Sequence, residues 1–575
     1  MKTYISIFIV LFSTLVFSQK KEKDTLGTEV INVVKPYTPE VSDAFKIKSS
    51  PEINDTEVSK KKIIKYAIFS VPVASTFTPA KGKAKVLRVD PSAPVYEDFV
   101  TIGFGTYSTP VIEAFAHTNT TRFNDFGGFF NYLSSKGGVK DVQLDDDFLD
   151  TRLDLFYKQE ERDFDWQLNG GVRLQKYNWY GLAPQMNFNQ NVINALAETQ
   201  KYTNVYLGGK INYNDSYFQG GAAELSRFTD DEGSTELHIL AKPKIEIPVA
   251  SELINLEGRL EYLKGDFYSN YDGTDNIKYS FATLGLAPSL EILRDNLTIN
   301  LGADVLFSHG TADSEDSKIY MYPNVTASYI LIDQVLTVYA GATGGLHQNS
   351  YKSFTDENPF VSPTLSIKRT DEQYNGFAGF KGKLASNISY NIKGSYKSER
   401  DKPMYKLNAS KTDGTTVVNK GYEAGNSFMV VYDNVKTINA SGEISVDFSK
   451  ELKFGGNIEF NIYNMDVEAE PWNLPTLKAS AFTNFNRDKW FAGANLFFVG
   501  ERKDELTFTD TNNNPTMLNM GNYIDLNLNG GYKFTDKLTA FARVNNVFGS
   551  DYQKYANFRV QGLQVLGGLT YKFDF

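Results

Sequence analysis

Regular alternation of apolar and polar residues recurs along most of this 575-residue chain and restricts the folds open to it. In the segment 297–307 the alternating apolar residues are Leu297, Ile299, Leu301, Ala303, Val305 and Phe307, and Leu306 breaks the pattern. The same period of two recurs at 452–462 and 524–534. Period two places successive residues on opposite faces of a β-strand, whereas a helix would scatter them around a cylinder. Residues 98–575 are therefore predicted to be all-β.

Short polar turns and longer connections alternate between these strands. The short turns lie near 119–124, 162–163, 214–215, 250–251, 294–296, 333–334, 386–387, 449–450, 487–488 and 535–536. The longer connections include 137–148, 183–199, 351–370, 404–425 and 507–520. This alternation is typical of a transmembrane antiparallel up-and-down β-barrel, and ten short turns predict about 22 strands. A soluble propeller or sandwich is the alternative, but the sequence contains no blade-like repeat.

The alternation also predicts which strand face contacts lipid. Backbone polar groups in lipid must all be paired, so the sheet must close with its apolar residues outward and its polar residues toward the lumen. Aromatic residues near strand ends suit the interfacial girdles of such a barrel, and the candidates are Tyr320, Tyr322, Trp490, Phe491, Tyr523 and Tyr532.

The last nine residues, GGLTYKFDF, are predicted to be the strand that closes the barrel. This strand would pair with the first strand near 99–107, because an open edge is not tolerated in lipid. Leu569, Tyr571, Phe573 and Phe575 would face lipid, and Thr570, Lys572 and Asp574 would face the lumen.

The N-terminal residues predict export. MKTYISIFIVLFSTLVFSQ has a lysine, a short apolar run and small residues before Gln19, so residues 1–18 are predicted to be a secretory signal peptide. Residues 19–97 are rich in proline and are predicted to be an extended periplasmic segment or a reduced plug. The barrel would comprise 98–575, in the outer membrane of a Gram-negative cell and in contact with outer-membrane lipids.

Composition and motifs weigh against several other classes of protein. The chain has no cysteine, and its net charge of -10 argues against nucleic acid as a partner. The histidines His117, His238, His309 and His347 fall on separate predicted strands, which argues against a metal site. Asp145–Asp147 are read as a solvated loop rather than a Ca²⁺ site, and 510–514 lacks the glycine of a calcium loop. We expect no catalytic, cofactor or metal site, and no enzymatic activity.

Short motifs resemble one membrane family. NNVFGSDYQKY (545–555), followed by a strand ending in TYKFDF, resembles the C-terminal end of TonB-dependent receptor barrels. IGFGTYSTPVIEAFAHT (102–118) and FNYLSSKGGVKD (130–141) resemble the first barrel strands of such receptors from Bacteroidota. The resemblance spans most of 98–575. The family places a much longer folded plug domain before the barrel, so this chain is expected to lack a complete plug.

The resemblance leaves two functions open. In DTLGTEVINVV (24–34), Glu29, Val30, Val33 and Val34 resemble an energy-coupling TonB box; the alternative is an extended tail or a strand that docks on a partner's sheet edge. One function is transport or uptake across the outer membrane. The other is a plug-less scaffold subunit of an outer-membrane complex, such as one for protein assembly or surface lipoprotein handling. The expected partners are accordingly a TonB-like protein, a surface lipoprotein or assembly machinery.

Overall fold

The computed structural model describes residues 97–121, 123–214, 216–249, 252–311, 317–507 and 515–574. Within these ranges the largest sheet has 22 antiparallel strands, each paired with the strands before and after it. The sheet closes because the first strand, Asp98–Gly105, pairs with both the second strand and the last, Gln564–Phe573. The predicted all-β up-and-down barrel of about 22 strands is confirmed. The predicted signal peptide and residues 19–96 lie outside the described residues.

The strands and helices are numbered in chain order. The first barrel strands are β1 (Asp98–Gly105), β2 (Thr109–Thr121), β3 (Asn124–Ser135), β4 (Phe148–Glu160), β5 (Phe164–Asn178), β6 (Thr199–Tyr213), β7 (Phe218–Asp230), β8 (Thr235–Val249), β9 (Glu252–Phe267), β10 (Ile277–Arg294) and β11 (Leu297–Gly310). The remaining barrel strands are β12 (Lys318–Ile332), β13 (Leu336–Gln348), β14 (Arg369–Ala385), β15 (Ile388–Leu407), β16 (Phe428–Asp447), β17 (Leu452–Met465), β18 (Leu477–Arg487), β19 (Trp490–Val499), β22 (Tyr523–Lys533), β23 (Leu538–Asn545) and β26 (Gln564–Phe573). Two small hairpins, β20 (Arg502–Leu506) with β21 (Thr516–Met520) and β24 (Gln553–Tyr555) with β25 (Phe558–Arg559), stand outside the barrel sheet.

The two ends of the barrel differ. One end, here called the turn end, carries the short turns together with the start of β1 and the end of β26. Asp295 and Asp488 have positive φ angles of 47° and 33° in two of these turns, a conformation that aspartate tolerates better than most residues. The opposite end, the loop end, carries the longer connections, including 136–147, 179–198, 349–368, 408–427, 500–522 and 546–563.

Two short helices lie in these connections. They are α1 (Gln190–Ala195) and α2 (Tyr351–Glu357). Among the described residues, neither helix approaches the length and apolar character that a membrane-crossing helix requires.

The outer face of the barrel carries a band of exposed apolar side chains. On β17 the outward residues Ile458, Phe460 and Ile462 expose 52%, 46% and 49% of their surface. Between them Asn461 points inward, where it accepts a hydrogen bond from Asn439 at 2.8 Å. A surface of this kind would be unusual in water, and its apolar residues suit the hydrocarbon of a bilayer.

The girdle prediction is correct for only part of its residues. Trp490 and Tyr532 pair on the outer face at the turn end, with ring centroids 4.7 Å apart. Four of the candidates instead lie at positions whose side chains point into the barrel. They are Tyr320, Tyr322, Phe491 and Tyr523. The Tyr322 hydroxyl donates to Asp371 at 2.8 Å inside the barrel. The prediction relied on nearness to a strand end. It did not use the odd or even position of the residue along its strand, which decides whether the side chain points inward or outward.

Leu306, the residue that breaks the alternation on β11, also points inward. It forms a small buried cluster with Tyr320, Tyr322 and Leu346. The departure from strict alternation therefore marks an apolar patch on the inner wall.

Some inward aromatic rings lie against glycines on neighbouring strands. A Cβ atom on Gly127 would stand 2.6 Å from the Phe156 ring, and a Cβ atom on Gly531 would stand 2.3 Å from the Phe491 ring. Glycine is needed at these positions because a side chain would collide with the ring.

The two strand faces are expected to respond differently to charge. Ile458→Lys would place an ammonium group in hydrocarbon near the middle of β17, at a cost of about 2–4 kcal/mol. Asn457→Lys, one residue earlier, would place the same group in the lumen and should be nearly neutral. Urea titration of each variant folded into lipid vesicles gives its free energy of unfolding. The two values measure the difference. Equal destabilisation by the two variants would contradict the assignment of faces.

Candidate functional site

The mouth of the barrel at the loop end is filled by the chain's own connections. Buried residues of the connections pack with inward side chains of the strands in one apolar core, here called the cap cluster. From the connections it includes Ala183, Tyr351, Phe354, Val361, Leu365, Ile367, Leu506, Met520, Tyr555, Ala556 and Phe558. From the strands it includes Tyr202, Phe228, Leu263, Phe267, Tyr279, Phe281, Tyr405, Leu407, Phe428 and Val430. These residues are at most 8% exposed, so the connections form a folded cap rather than open loops.

Aromatic contacts join connections that are far apart in the sequence. The Phe360 ring stacks on Phe558 with centroids 4.0 Å apart and meets Tyr180 edge-on at 5.6 Å. Tyr351 of α2 packs edge-on against Phe267 at 4.8 Å. Such pairs contribute about 0.5–1.5 kcal/mol each beyond the area they bury. The contacts therefore hold three connections against one another and against the barrel wall. They are 179–198, 349–368, which contains α2, and 546–563.

A buried carboxylate on β8 holds the start of α2. The Glu236 side chain is 3% exposed and accepts hydrogen bonds from the Tyr351 and Lys352 backbone amides at 2.7 and 3.1 Å. The Tyr279 hydroxyl donates to the same carboxylate at 2.6 Å. The first amides of a helix have no partners within the helix, so a carboxylate satisfies them well. Glu236 thus attaches the cap to the inner wall.

A second buried carboxylate joins the hairpin of β20 and β21 to the barrel. Asp504 is fully buried and accepts from the Leu407 amide at 2.9 Å, from the Asn473 side chain at 2.7 Å and from the Glu505 amide at 2.8 Å. Burial raises the pKa of Asp504 to about 6. Arg502 on the same hairpin donates to the backbone carbonyls of 553–554. Asp504 and Arg502 therefore both attach the hairpin to its surroundings.

Paired charges line the lumen wall. Arg173 on β5 contacts Asp150 on β4 at 2.6 Å and Asp356 of α2 at 3.0 Å, so it joins the cap to the wall. On other strands, His238 lies 2.8 Å from Glu261, which also pairs with Arg259. These parts of the lumen wall are polar, and their charges lie in networks of opposite sign.

One cavity of about 270 Å³ opens into this wall. Its lining combines Lys242, Arg259 and His347 with Glu257 and Asp304. A larger hollow of about 360 Å³ is almost entirely apolar and lies mostly on the outward face between β11 and β14, away from these charges. The cavity of mixed charge is therefore the better candidate for contact with a polar ligand.

The structure describes some of the residues singled out in the sequence and not others. On β26, Leu569 and Tyr571 point outward and expose 52% and 49% of their surface, and Phe573 pairs with Asp98. Phe575 lies outside the described residues, as do Glu29, Val30, Val33 and Val34 and the 510–514 segment.

The four histidines lie on four strands, β2, β8, β11 and β13. Within the described part of the chain, no group of three His, Cys, Asp or Glu residues is arranged to hold a metal ion. In the acidic loop, Asp147 accepts from Lys176 at 2.8 Å and from Asn178, and Asp146 accepts from the Val139 amide at 2.7 Å. These carboxylates hold the loop itself together.

Sequence reasoning did not identify the cap. The sequence predicts these segments only as the longer connections between strands and gives no contact among their aromatic residues. The available signal was the number of aromatic residues in segments predicted to be loops, such as Tyr351, Phe354, Tyr555 and Phe558. Exposed loops rarely need so many rings, so aromatic density in a loop indicates burial.

Comparison with known proteins identifies the fold but no relative by sequence. No family model matches the chain, and no curated protein matches it. The FrpB iron transporter from Neisseria meningitidis superposes with a TM-score of 0.64 and 11% identity over 84% of this chain and 82% of that one. The pyoverdine outer-membrane receptor FpvA from Pseudomonas aeruginosa gives 0.62 and 13%, over 84% and 79%. The ferric enterobactin receptor PfeA from Pseudomonas aeruginosa gives 0.58 and 12%, over 83% and 80%. At these identities the similarity establishes the barrel architecture alone.

We expect the hairpin of β20 and β21 to loosen as pH rises. The folded-state pKa of Asp504 is raised to about 6, above its usual value of 3.8. The protonated carboxyl therefore stabilises the folded hairpin at low pH. This stabilisation is lost as the pH rises from about 4 to about 6. The equilibrium constant for opening the hairpin then increases by up to about tenfold per pH unit. Hydrogen exchange of the hairpin amides, corrected for intrinsic rates, measures the change.

Asp504→Asn should remove this pH dependence. The matched control is Asp413→Asn, because Asp413 is fully exposed in another connection and hydrogen bonds from Thr415 and Thr416 lower its pKa to about 2. That group does not titrate in the window, so its variant should behave like the parent. A hairpin whose exchange shows no pH dependence in the parent protein would contradict the role of Asp504.

Proposed function

We propose that this chain is an outer-membrane barrel of the TonB-dependent receptor type that takes part in uptake across that membrane. In this proposal the cap is the outer gate of the barrel and the charged lumen is the path beneath it. The role is transport and not catalysis. The observation that carries the proposal is the folded cap at the loop end, where a solute from outside would arrive.

The structural neighbours support this choice of class. FrpB is an iron transporter, and FpvA and PfeA are receptors for pyoverdine and ferric enterobactin. A barrel of 22 strands is wide enough to leave a channel unless something fills it. The resemblance of 545–555, 102–118 and 130–141 to the same family points in the same direction.

The arrangement of the cap fits a gate. It is attached to the wall through polar contacts that include those of Glu236, Arg173 and Asp504, while its interior consists of apolar contacts. A ligand or partner that competes for those anchors would release α2 without breaking the barrel sheet. Beneath the cap, the mixed charges around the 270 Å³ cavity offer contacts to a polar solute.

Active uptake needs an energy source, and we propose that the segment at 24–34 supplies the connection. Glu29, Val30, Val33 and Val34 would pair as a short extended strand with a TonB-like partner in the periplasm. Strand addition relies on backbone amides, so a proline in the segment would remove a donor and block pairing.

A scaffold role is the second candidate, and the density of the cap favours it. Tyr351, Phe354 and Val361 are 1%, 3% and 0% exposed, which is the packing of a permanent core. A barrel that never opens would serve as a subunit of an outer-membrane complex. Its partners would then be a surface lipoprotein or the machinery that assembles outer-membrane proteins.

Affinity purification of the full chain from native membranes separates the two functions. For uptake, we expect an energy-coupling partner to co-purify with the parent and to be lost from Val33→Pro. Val41→Pro, in the same N-terminal segment but outside 24–34, should retain it. Recovery of only outer-membrane subunits, with equal yield from both variants, would favour the scaffold and contradict coupled uptake.

A further inference from the structure

The cavity of about 270 Å³ in the lumen wall has five charged side chains in its lining, three basic and two acidic. A charge that a neighbouring side chain already neutralises offers less to a ligand. Three of the five are paired with residues outside the lining. These pairs are Arg259 with Glu261, His347 with Glu372 at 3.5 Å and Glu257 with Lys244 at 3.4 Å.

Lys242 and Asp304 are the remaining charges of the lining. Within the described residues, the Lys242 ammonium group forms no ion pair or hydrogen bond. The Asp304 Oδ1 atom is buried, and no described group donates a hydrogen bond to it. A buried carboxylate oxygen without a donor is costly, so the site favours a ligand that brings a donor.

The order of the strands places these two groups on opposite sides of the cavity. Lys242 lies on β8 and Asp304 on β11, three strands further along the sheet. Their backbones are therefore about 14 Å apart, at about 4.8 Å per strand, and the two side chains span part of that distance. The cavity is also smaller than the roughly 300–1,000 Å³ of sites for drug-sized ligands. A ligand that contacts both groups is therefore a small one.

The backbone at this level makes room for the ligand. Gly344 and Gly345 are part of the lining and have no side chain to fill the space. In the described strands, β8 is not paired with β9 at 242–243, and β10 is not paired with β11 at 287–288. Each of these gaps contains a proline, which cannot donate a ladder hydrogen bond. The cavity is therefore formed by the backbone as well as by the side chains.

The two remaining charges select the class of ligand. A simple anion would pair with Lys242 and leave Asp304 without a donor, and a simple cation would do the reverse. A ligand that carries a carboxylate and an ammonium group close together satisfies both. Leu306 and Leu346 are buried in the same lining and add an apolar surface that suits an aliphatic side chain.

We propose that the cavity binds a small zwitterion of the α-amino-acid class. Its carboxylate contacts Lys242, its ammonium group donates to Asp304, and its aliphatic side chain packs on Leu306 and Leu346. Both polar contacts are charge-assisted hydrogen bonds, which are about twice as strong as neutral ones. The inference rests on the proposed uptake function and deepens it, because it names the class of solute that the path beneath the cap would carry.

Equilibrium dialysis of the full chain in lipid nanodiscs against radiolabelled L-leucine tests the proposal. We expect saturable binding. N-acetyl-L-leucine lacks the ammonium group and L-leucinamide lacks the carboxylate. Each should compete at least about tenfold less well than unlabelled L-leucine, because each leaves one charge of the site without a partner. An absence of saturable binding, or equal competition by all three compounds, would overturn the proposal.

Variants of the two charges test the assignment of the site. Lys242→Met and Asp304→Asn should each weaken L-leucine binding by at least about tenfold. The matched control, Lys478→Met, removes another inward lysine on β18, where it lies beside Glu459 in register and away from the cavity. It should bind L-leucine like the parent. The mobility of each unheated variant on a denaturing gel shows that its barrel is folded. Folded variants of Lys242 and Asp304 that bind as tightly as the parent would overturn the site.

The site and the uptake function can fail in different experiments. Co-purification of an energy-coupling partner, tested with Val33→Pro, does not involve Lys242 or Asp304. If that partner is recovered but L-leucine does not bind, the site is overturned and uptake stands. If L-leucine binds through both charges but no partner is recovered, the site stands and coupled uptake is contradicted.

Discussion

The hydrogen-bonded seam between β1 and β26 is the contact on which the rest of the molecule depends. It joins residues more than 460 positions apart, such as Thr101 and Thr570, and leaves no strand edge unpaired in the barrel sheet. In hydrocarbon an unpaired amide or carbonyl costs several kcal/mol, so an open sheet of this kind is not a stable alternative. Closure in turn fixes the inward and outward parity of every strand. The lipid face and the charged lumen both follow from that parity.

The two ends of the lumen differ in how their residues are packed. At the loop end, the connections fold into an apolar cap that is held to the wall by Glu236, Arg173 and Asp504. At the turn end, inward phenylalanines such as Phe99 and Phe115 keep part of their surface exposed. The two ends therefore differ in packing, because one is closed by a folded cap and the other leaves aromatic rings partly exposed. A protein for uptake would have to open the cap, whereas a scaffold would keep it closed.

Sequence reasoning was sufficient for features that depend on local periodicity. Alternation and turn chemistry predicted the all-β barrel, its strand number and the outward direction of Leu569 and Tyr571, because strand parity is a local property. It failed for Tyr322, where nearness to a strand end was given more weight than parity. It also missed the cap, because that core is built from contacts between distant segments. Glu236 and Tyr351 are 115 residues apart, and nothing near either residue in the sequence signals the hydrogen bond between them.

Closure of the sheet can be measured directly with one disulfide. The chain has no cysteine of its own, and the hydroxyls of Thr101 and Thr570 are 2.8 Å apart across the seam. In the protein purified from membranes, Thr101→Cys with Thr570→Cys should oxidise almost completely to an intramolecular crosslink that changes mobility on a denaturing gel. Ile102→Cys with Thr570→Cys places the two thiols on opposite faces and should remain reduced. An absent crosslink in the first pair, or one formed only between two molecules, would mean that β1 and β26 do not close the barrel.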